Sequence, residues 1–145
     1  MYLLDTNVVA ELRKAKAGKA DRNVTAWANS VAPASLFLST ITVLEMELGV
    51  LLIERRDAVQ GAILRTWLDG HVLTAFADRI LVIDTAVARQ CAQLHVPDPK
   101  SDRDAFIAAT ALVHGMIVVT RNVADFTATA VTTLNPWAYA IGAAR

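Results

Sequence analysis

The sequence predicts an α/β domain built on a parallel sheet, and three observations predict it. Short apolar runs rich in branched residues, YLL (2–4), LFL (36–38), ILVI (80–83) and MIVV (116–119), lack the alternation of half-exposed strands and read as strands buried on both faces. Stretches with helical spacing lie between them. The chain has 145 residues, 54% of them hydrophobic, enough for one core and one domain. Strands that alternate with helices pack as layers joined by right-handed crossovers.

In chain order, the strand at 2–4 runs into Asp5, Thr6 and Asn7, all residues that cap helices, and a helix follows over 7–14. A second helix covers 23–31, and the strand at 36–38 leads to a helix over 42–55 that opens with Thr42-Val43-Leu44-Glu45, a capping-box pattern. Further helical spacing covers 57–77 and, after the strand at 80–83, 85–95. Pro97 and Pro99 mark a loop before the helix over 102–114, whose start, Ser101 to Asp104, again resembles a capping box. Gly115 stands where a helix ends on a glycine, just before the strand at 116–119. Ligands of open parallel sheets bind beyond the carboxyl ends of the strands, so Asp5 and the TRNVADF stretch (120–126) share one edge.

Composition narrows the class of function. Fourteen basic residues balance 14 acidic ones, so net charge points to no polyanion or membrane surface. The one cysteine, Cys91, forms no internal disulfide and reads as a core residue. An N-terminus without basic residues that meets an acid at Asp5 does not suit a secretory signal, so cytoplasm is the expected location and the Asn23 sequon carries little weight. The apolar run at 107–119 is interrupted by Thr110, His114 and Gly115 and falls short of the ~20 residues a membrane helix needs. There is no Walker-type loop, no Gly-x-Ser-x-Gly and no zinc-spaced Cys/His set, and His71, His95 and His114 are scattered. A phospho-acceptor domain would need an acid pair and a lysine that are missing.

The acids carry the argument. Asp5, Glu45 and Asp104 each have a capping explanation taken singly. Gly49 lies one turn from Glu45 on its face, leaving open space there, whereas Glu47 points elsewhere. Ala105, Ala108, Ala109 and Ala111 leave little bulk beside Asp104. Three carboxylates converging at one sheet edge would repel, and a divalent cation removes that penalty. Hard oxygen ligands favour Mg²⁺ or Mn²⁺, the cations of phosphoryl chemistry.

LLDTNVVAE, TVLEMELGV and DAFIAATALVHGMIVVTRNVADF resemble, in order and spacing, the PIN-domain endoribonucleases, and most closely the VapC toxins of type II toxin–antitoxin pairs; the closing LNPW resembles the FitB-like branch. The resemblance runs from Met1 to about Trp137, leaving 138–145 as a C-terminal tail of a single domain over 1–145. It implies a three-layer α/β/α fold with a central parallel sheet and an acidic groove for Mg²⁺ or Mn²⁺. Asp5, Glu45 and Asp104 are then the catalytic, metal-binding acids, with Thr6, Asn7 and Thr120 supporting them. At the fourth position, where many relatives carry Asp, this chain has Asn122, with Asp125 three residues on as a substitute.

The implied partners are a VapB-like antitoxin, an RNA substrate (tRNA, rRNA or mRNA) and a second copy of the chain, with promoter DNA reached only through the antitoxin and no membrane. Arg13, Lys14, Lys16, Lys19 and Arg22 read either as a solvated segment or as a patch for the RNA backbone, for which Arg121 is a second candidate. Trp27, Trp67, Val50, Leu51 and Ile53 are core or interface residues. The alternative reading is a catalytically weak PIN domain acting mainly as a partner-binding regulatory subunit of a DNA-binding complex, motivated by Asn122.

Overall fold

The computed structural model describes residues 1–142, so the last three residues of the expected tail, 143–145, lie outside the described residues. The chain runs β1 (Tyr2–Leu4), α1 (Thr6–Leu12), α2 (Arg22–Ser30), β2 (Leu36–Ser39), α3 (Thr40–Arg56), α4 (Ala58–Trp67), a π-helical turn (Leu68–Val72), α5 (Leu73–Ala75), β3 (Ile80–Leu81), α6 (Thr85–Leu94), α7 (Asp102–His114), β4 (Ile117–Val119) and β5 (Thr133–Leu134). Short 3-10 segments lie at Ala15–Ala17, Pro33–Ser35, Val123–Thr129 and Pro136–Ala138.

All strand pairs are parallel, in the order β3-β2-β1-β4-β5. The chain steps outward from β1 through β2 to β3, then returns to the other side of β1 as β4. The strand order therefore reverses between β1 and β4, where a parallel sheet opens a crevice at its carboxyl edge. Tyr2 pairs with both Leu36 and Ile117, and β1 is the central strand.

The side-chain alternation of the strands splits the core into two faces. Leu4, Leu36, Leu38 and Val119 pack with Val8, Val9, Trp27, Met46 and Leu68 from the first helices. Leu3 and Val118 point the other way, onto Ile107, Ala108 and Ala111 of α7 and onto Phe126. Behind α7, Ala105 and Ala109 meet Val87 and Cys91 of α6. Helices thus cover both faces of the sheet, and alanines on α7 let it lie close, as three-layer packing demands.

Several local expectations change. The helix expected over 57–77 runs on from Ala58 to Ala75, with a π-helical turn set into it at Leu68–Val72. β3 is an edge strand rather than a buried one: only Ile80 and Leu81 pair, and Val82 is 60% exposed. β5 pairs through just two residues, too short to leave a pattern in the sequence. α3 begins at Thr40 because Ser39 is its N-cap, its hydroxyl accepting from Thr42 N at 3.1 Å, so the expected Thr42–Glu45 capping box does not form. Asp57 ends α3 and starts α4, its side chain accepting from Gln60 N. The two helices then approach so closely at Gly61 that a Cβ there would lie 2.6 Å from Glu54 Cα. Arg65 ties them, 2.7 Å from Glu47 and 3.1 Å from Glu54, which accounts for Glu47 pointing away from Glu45. No helix among the described residues is long and apolar enough to cross a membrane.

Candidate functional site

Asp5 leaves β1 and is at once the N-cap of α1: its backbone is extended (φ −74°, ψ 159°) and its Oδ1 accepts from Thr6 N at 2.8 Å. Capping and siting are therefore one geometry, since a strand that ends in a helix start turns the side chain of the junction residue to the sheet edge. The carboxylate is only 7% exposed. Its Oδ2 accepts from Thr120 Oγ1 at 2.8 Å and from Asn7 Nδ2 at 3.3 Å. Thr120 leaves β4 fully buried, and its hydroxyl oxygen also accepts from Asn122 N at 3.0 Å. Asn7 bridges back, its Oδ1 accepting from Arg121 N at 3.2 Å. The ends of β1 and β4 are thus stitched into one unit by hydrogen bonds.

Glu45 joins from the second turn of α3. Thr6 Oγ1 donates to its Oε1 at 2.6 Å, while its Oε2 stands 3.7 Å from Arg103 Nη1. No Cβ or neighbour crowds Gly49, one turn on. Asp104 lies in the first turn of α7. Ser101 is the N-cap residue there but makes no side-chain bond to the helix backbone, so this capping box does not form either.

The electrostatics show that these acids share a field. Burial is the largest influence raising the Asp5 pKa, and the charge of Glu45 raises it further, against the donors Thr120, Thr6 and Asn7. Burial likewise raises Asp104, followed by the charges of Asp125, Asp5 and Glu45, with Ser101 opposing. Asp125, exposed on the 3-10 segment, therefore acts on the same carboxylate. The exposed Asn122 is the N-cap of that segment and makes no side-chain cap bond. Among the described residues no group of three His, Cys, Asp or Glu stands close enough to hold an ion.

The raised values carry a sign. Below the ordinary aspartate value of 3.8 the folded and unfolded chains both hold the proton on Asp104, and no penalty arises. As pH rises from there through the raised native value, the folded state binds more protons than the unfolded state, and stability falls until the carboxylate is ionised in both. Asp104→Asn is therefore expected to stabilise the cation-free protein at pH 7, by a margin that shrinks as pH is lowered towards 4. Urea unfolding in EDTA at several pH values measures it; a destabilised variant at pH 7 would contradict the repulsion argument.

The basic residues divide. Arg13, Lys14 and Lys16 follow the carboxyl end of α1, opposite the end Asp5 caps. Lys14 pairs with Glu11 at 3.1 Å, and Arg13 lies over the Trp67 ring and, with Lys16, lines a groove of about 640 Å³ between α1 and α4. The fold does not bring these three to the acids. Arg121 does reach the edge, tied by its backbone to Asn7 and with its guanidinium 5.0 Å from the Trp137 ring centroid. Of the histidines, His95 accepts from Lys100 N at 3.0 Å and faces Asp102. Arg103 was not anticipated at the edge, because its partner Glu45 is distant in the chain and no local spacing links them.

Comparison with known proteins gives consistent matches. The family model described as PIN domain matches residues 2–131. The VapC ribonuclease Y4jK of Sinorhizobium fredii is 38% identical over 94% of this chain and 98% of its own length. Toxin FitB of Neisseria gonorrhoeae is 36% identical over 94% of this chain and 99% of its own. Among solved structures, FitAB bound to an IR36 DNA fragment superposes with a TM-score of 0.83 at 37% identity, covering 94% of this chain and 96% of that one.

Proposed function

The chain belongs to the PIN-domain family, and from that premise we propose that it is the toxin of a type II toxin–antitoxin pair, an endoribonuclease hydrolysing RNA phosphodiester bonds. The observation that carries the reading is the joining of Asp5 to Thr120 across the β1–β4 crevice with Glu45 one hydroxyl away and Asp104 within its field. Similarity to the VapC ribonuclease Y4jK along nearly its whole length favours it over the regulatory-subunit alternative.

The donor set fits a divalent cation. Asp5, Glu45 and Asp104 supply hard oxygens whose mutual repulsion a cation relieves, with Asp125 as a fourth acid and Asn122 as a neutral oxygen donor. Mg²⁺ or Mn²⁺, when bound, lowers the pKa of a water and offsets charge on the phosphate. The chain's own residues do the positioning. Thr120, Asn7 and the Thr6 amide lock the Asp5 carboxylate, and Thr6 holds one Glu45 oxygen while the other faces Arg103. Glu45 and Asp104 would flank the water and the phosphate. The 3-10 segment anchored by Phe126 carries Asp125, whose charge acts on Asp104.

The partners follow the relatives: a VapB-like antitoxin that neutralises the toxin and carries the pair to promoter DNA, and a second copy of the chain. Cytoplasm is the expected location. Purified protein is expected to cut RNA in Mg²⁺ or Mn²⁺, to lose the activity in EDTA and to recover it when the cation is restored. Cleavage indifferent to EDTA, or none with either cation, would overturn the proposal. Sequencing RNA ends soon after induction in cells would identify the target as tRNA, rRNA or mRNA.

A further inference from the structure

Three arginines are committed to the fold. Glu47, Glu54 and Asp69 surround Arg65, Arg79 donates to Leu36 O and Ala75 O, and Arg121 lies on Trp137. Arg103 is placed otherwise: its guanidinium stands half exposed at 3.7 Å from Glu45 Oε2. It directly precedes Asp104 in the first turn of α7. It is also the one cation, among the described residues, paired with an acid of the edge.

An RNA phosphate arriving here meets like charge. Asp5, Glu45, Asp104 and Asp125 bring four negative charges, and one divalent cation offsets two. A protein cation beside the acids offsets more of it; Arg13, Lys14 and Lys16 lie beyond the far end of α1, and Arg121, which does reach the edge, lies over the Trp137 ring and is paired with none of these acids. A guanidinium fork matches two phosphate oxygens. A half-exposed pair at 3.7 Å is worth little, so releasing it costs little. We infer that Arg103 receives the RNA phosphate at this edge and that its pairing with Glu45 is a resting position, left when RNA and a divalent cation enter. The inference rests on the nuclease reading above.

Two effects of opposite sign follow from removing it. Without Arg103, Glu45 is free and the edge more negative, so Mn²⁺ alone binds tighter; without Arg103, RNA is held less well. In calorimetric titration with Mn²⁺, Arg103→Ala is expected to bind about 2- to 5-fold tighter than wild type. In cleavage of a random-sequence RNA pool at saturating Mn²⁺, its KM is expected to rise about 10-fold with kcat little changed, and Arg103→Lys to recover part of the loss. Weakening of both Mn²⁺ binding and RNA cleavage would mark a merely structural residue and overturn the inference, as would no change in either. A wild-type protein that binds Mn²⁺ but cuts no RNA overturns the nuclease reading and the inference with it; a cleaving wild type with an indifferent Arg103→Ala overturns the inference alone.

Discussion

Asp5→Asn is expected to lower RNA cleavage by about 10³-fold or more while leaving the fold intact. Supporting residues around a bound metal typically contribute about 10- to 100-fold, and a ligand carboxylate at the centre of the site should exceed them. The amide keeps the size of the side chain, and its oxygen can still accept from Thr6 N, so the cap of α1 survives. What is lost is the charge and the oxygen that accepts from Thr120 and Asn7, the relief of burying a charge offsetting the lost acceptor. The Asp5 carboxylate is buried against its own ionisation and beside Glu45, so its neutral replacement should unfold no more easily than wild type in EDTA. It should also lose the rise in Tm that Mn²⁺ produces in wild type. Initial rates on labelled RNA, with thermal unfolding with and without Mn²⁺, measure both; an active variant would remove Asp5 from the chemistry.

The largest effect on stability is expected from Phe126→Ala, at about 3–5 kcal/mol. Phe126 is 1% exposed and packs with Leu3, Ile107 and Val118 under the sheet. Its segment, Val123–Thr129, is a 3-10 stretch whose buried side chains are Phe126 and Thr129, so the ring is its apolar anchor. Truncation leaves a cavity and loosens the piece of chain that carries Asn122 and Asp125. Against the 5–15 kcal/mol typical of a domain, such a loss is a large fraction. Urea unfolding in EDTA gives the value; a loss below about 1 kcal/mol would mean that the segment collapses onto the void.

How far the sequence could be read depended on the range of the interaction. β1, β2 and β4 were legible because their apolar runs report burial on both faces directly, and Gly115 marked the end of α7, where it adopts φ 66°. β5 was not legible, because two residues carry no periodicity. The capping boxes were misread because Ser39, three residues before Thr42, competes for the same amide and wins, which frees Glu45 to reach Thr6. Arg103 was invisible as a partner of Glu45, since nothing in a local window relates the first turn of α7 to the second turn of α3.

The sequence by itself determined the kinds of elements, the family resemblance and the fact that acids stand at a strand exit and near helix starts. These depend on side-chain period and on residues within a few positions of each other. Only the tertiary structure decided that β4 returns to the side of β1, and with it the contacts that bridge long stretches of chain: Thr120 to Asp5 across 115 positions and Thr6 to Glu45 across 39. Hydrophobic pattern tells a strand that it must be buried but not beside which strand. The choice is made by how the crossover helices cover both faces of the sheet, and that packing turns separate caps into one acidic edge.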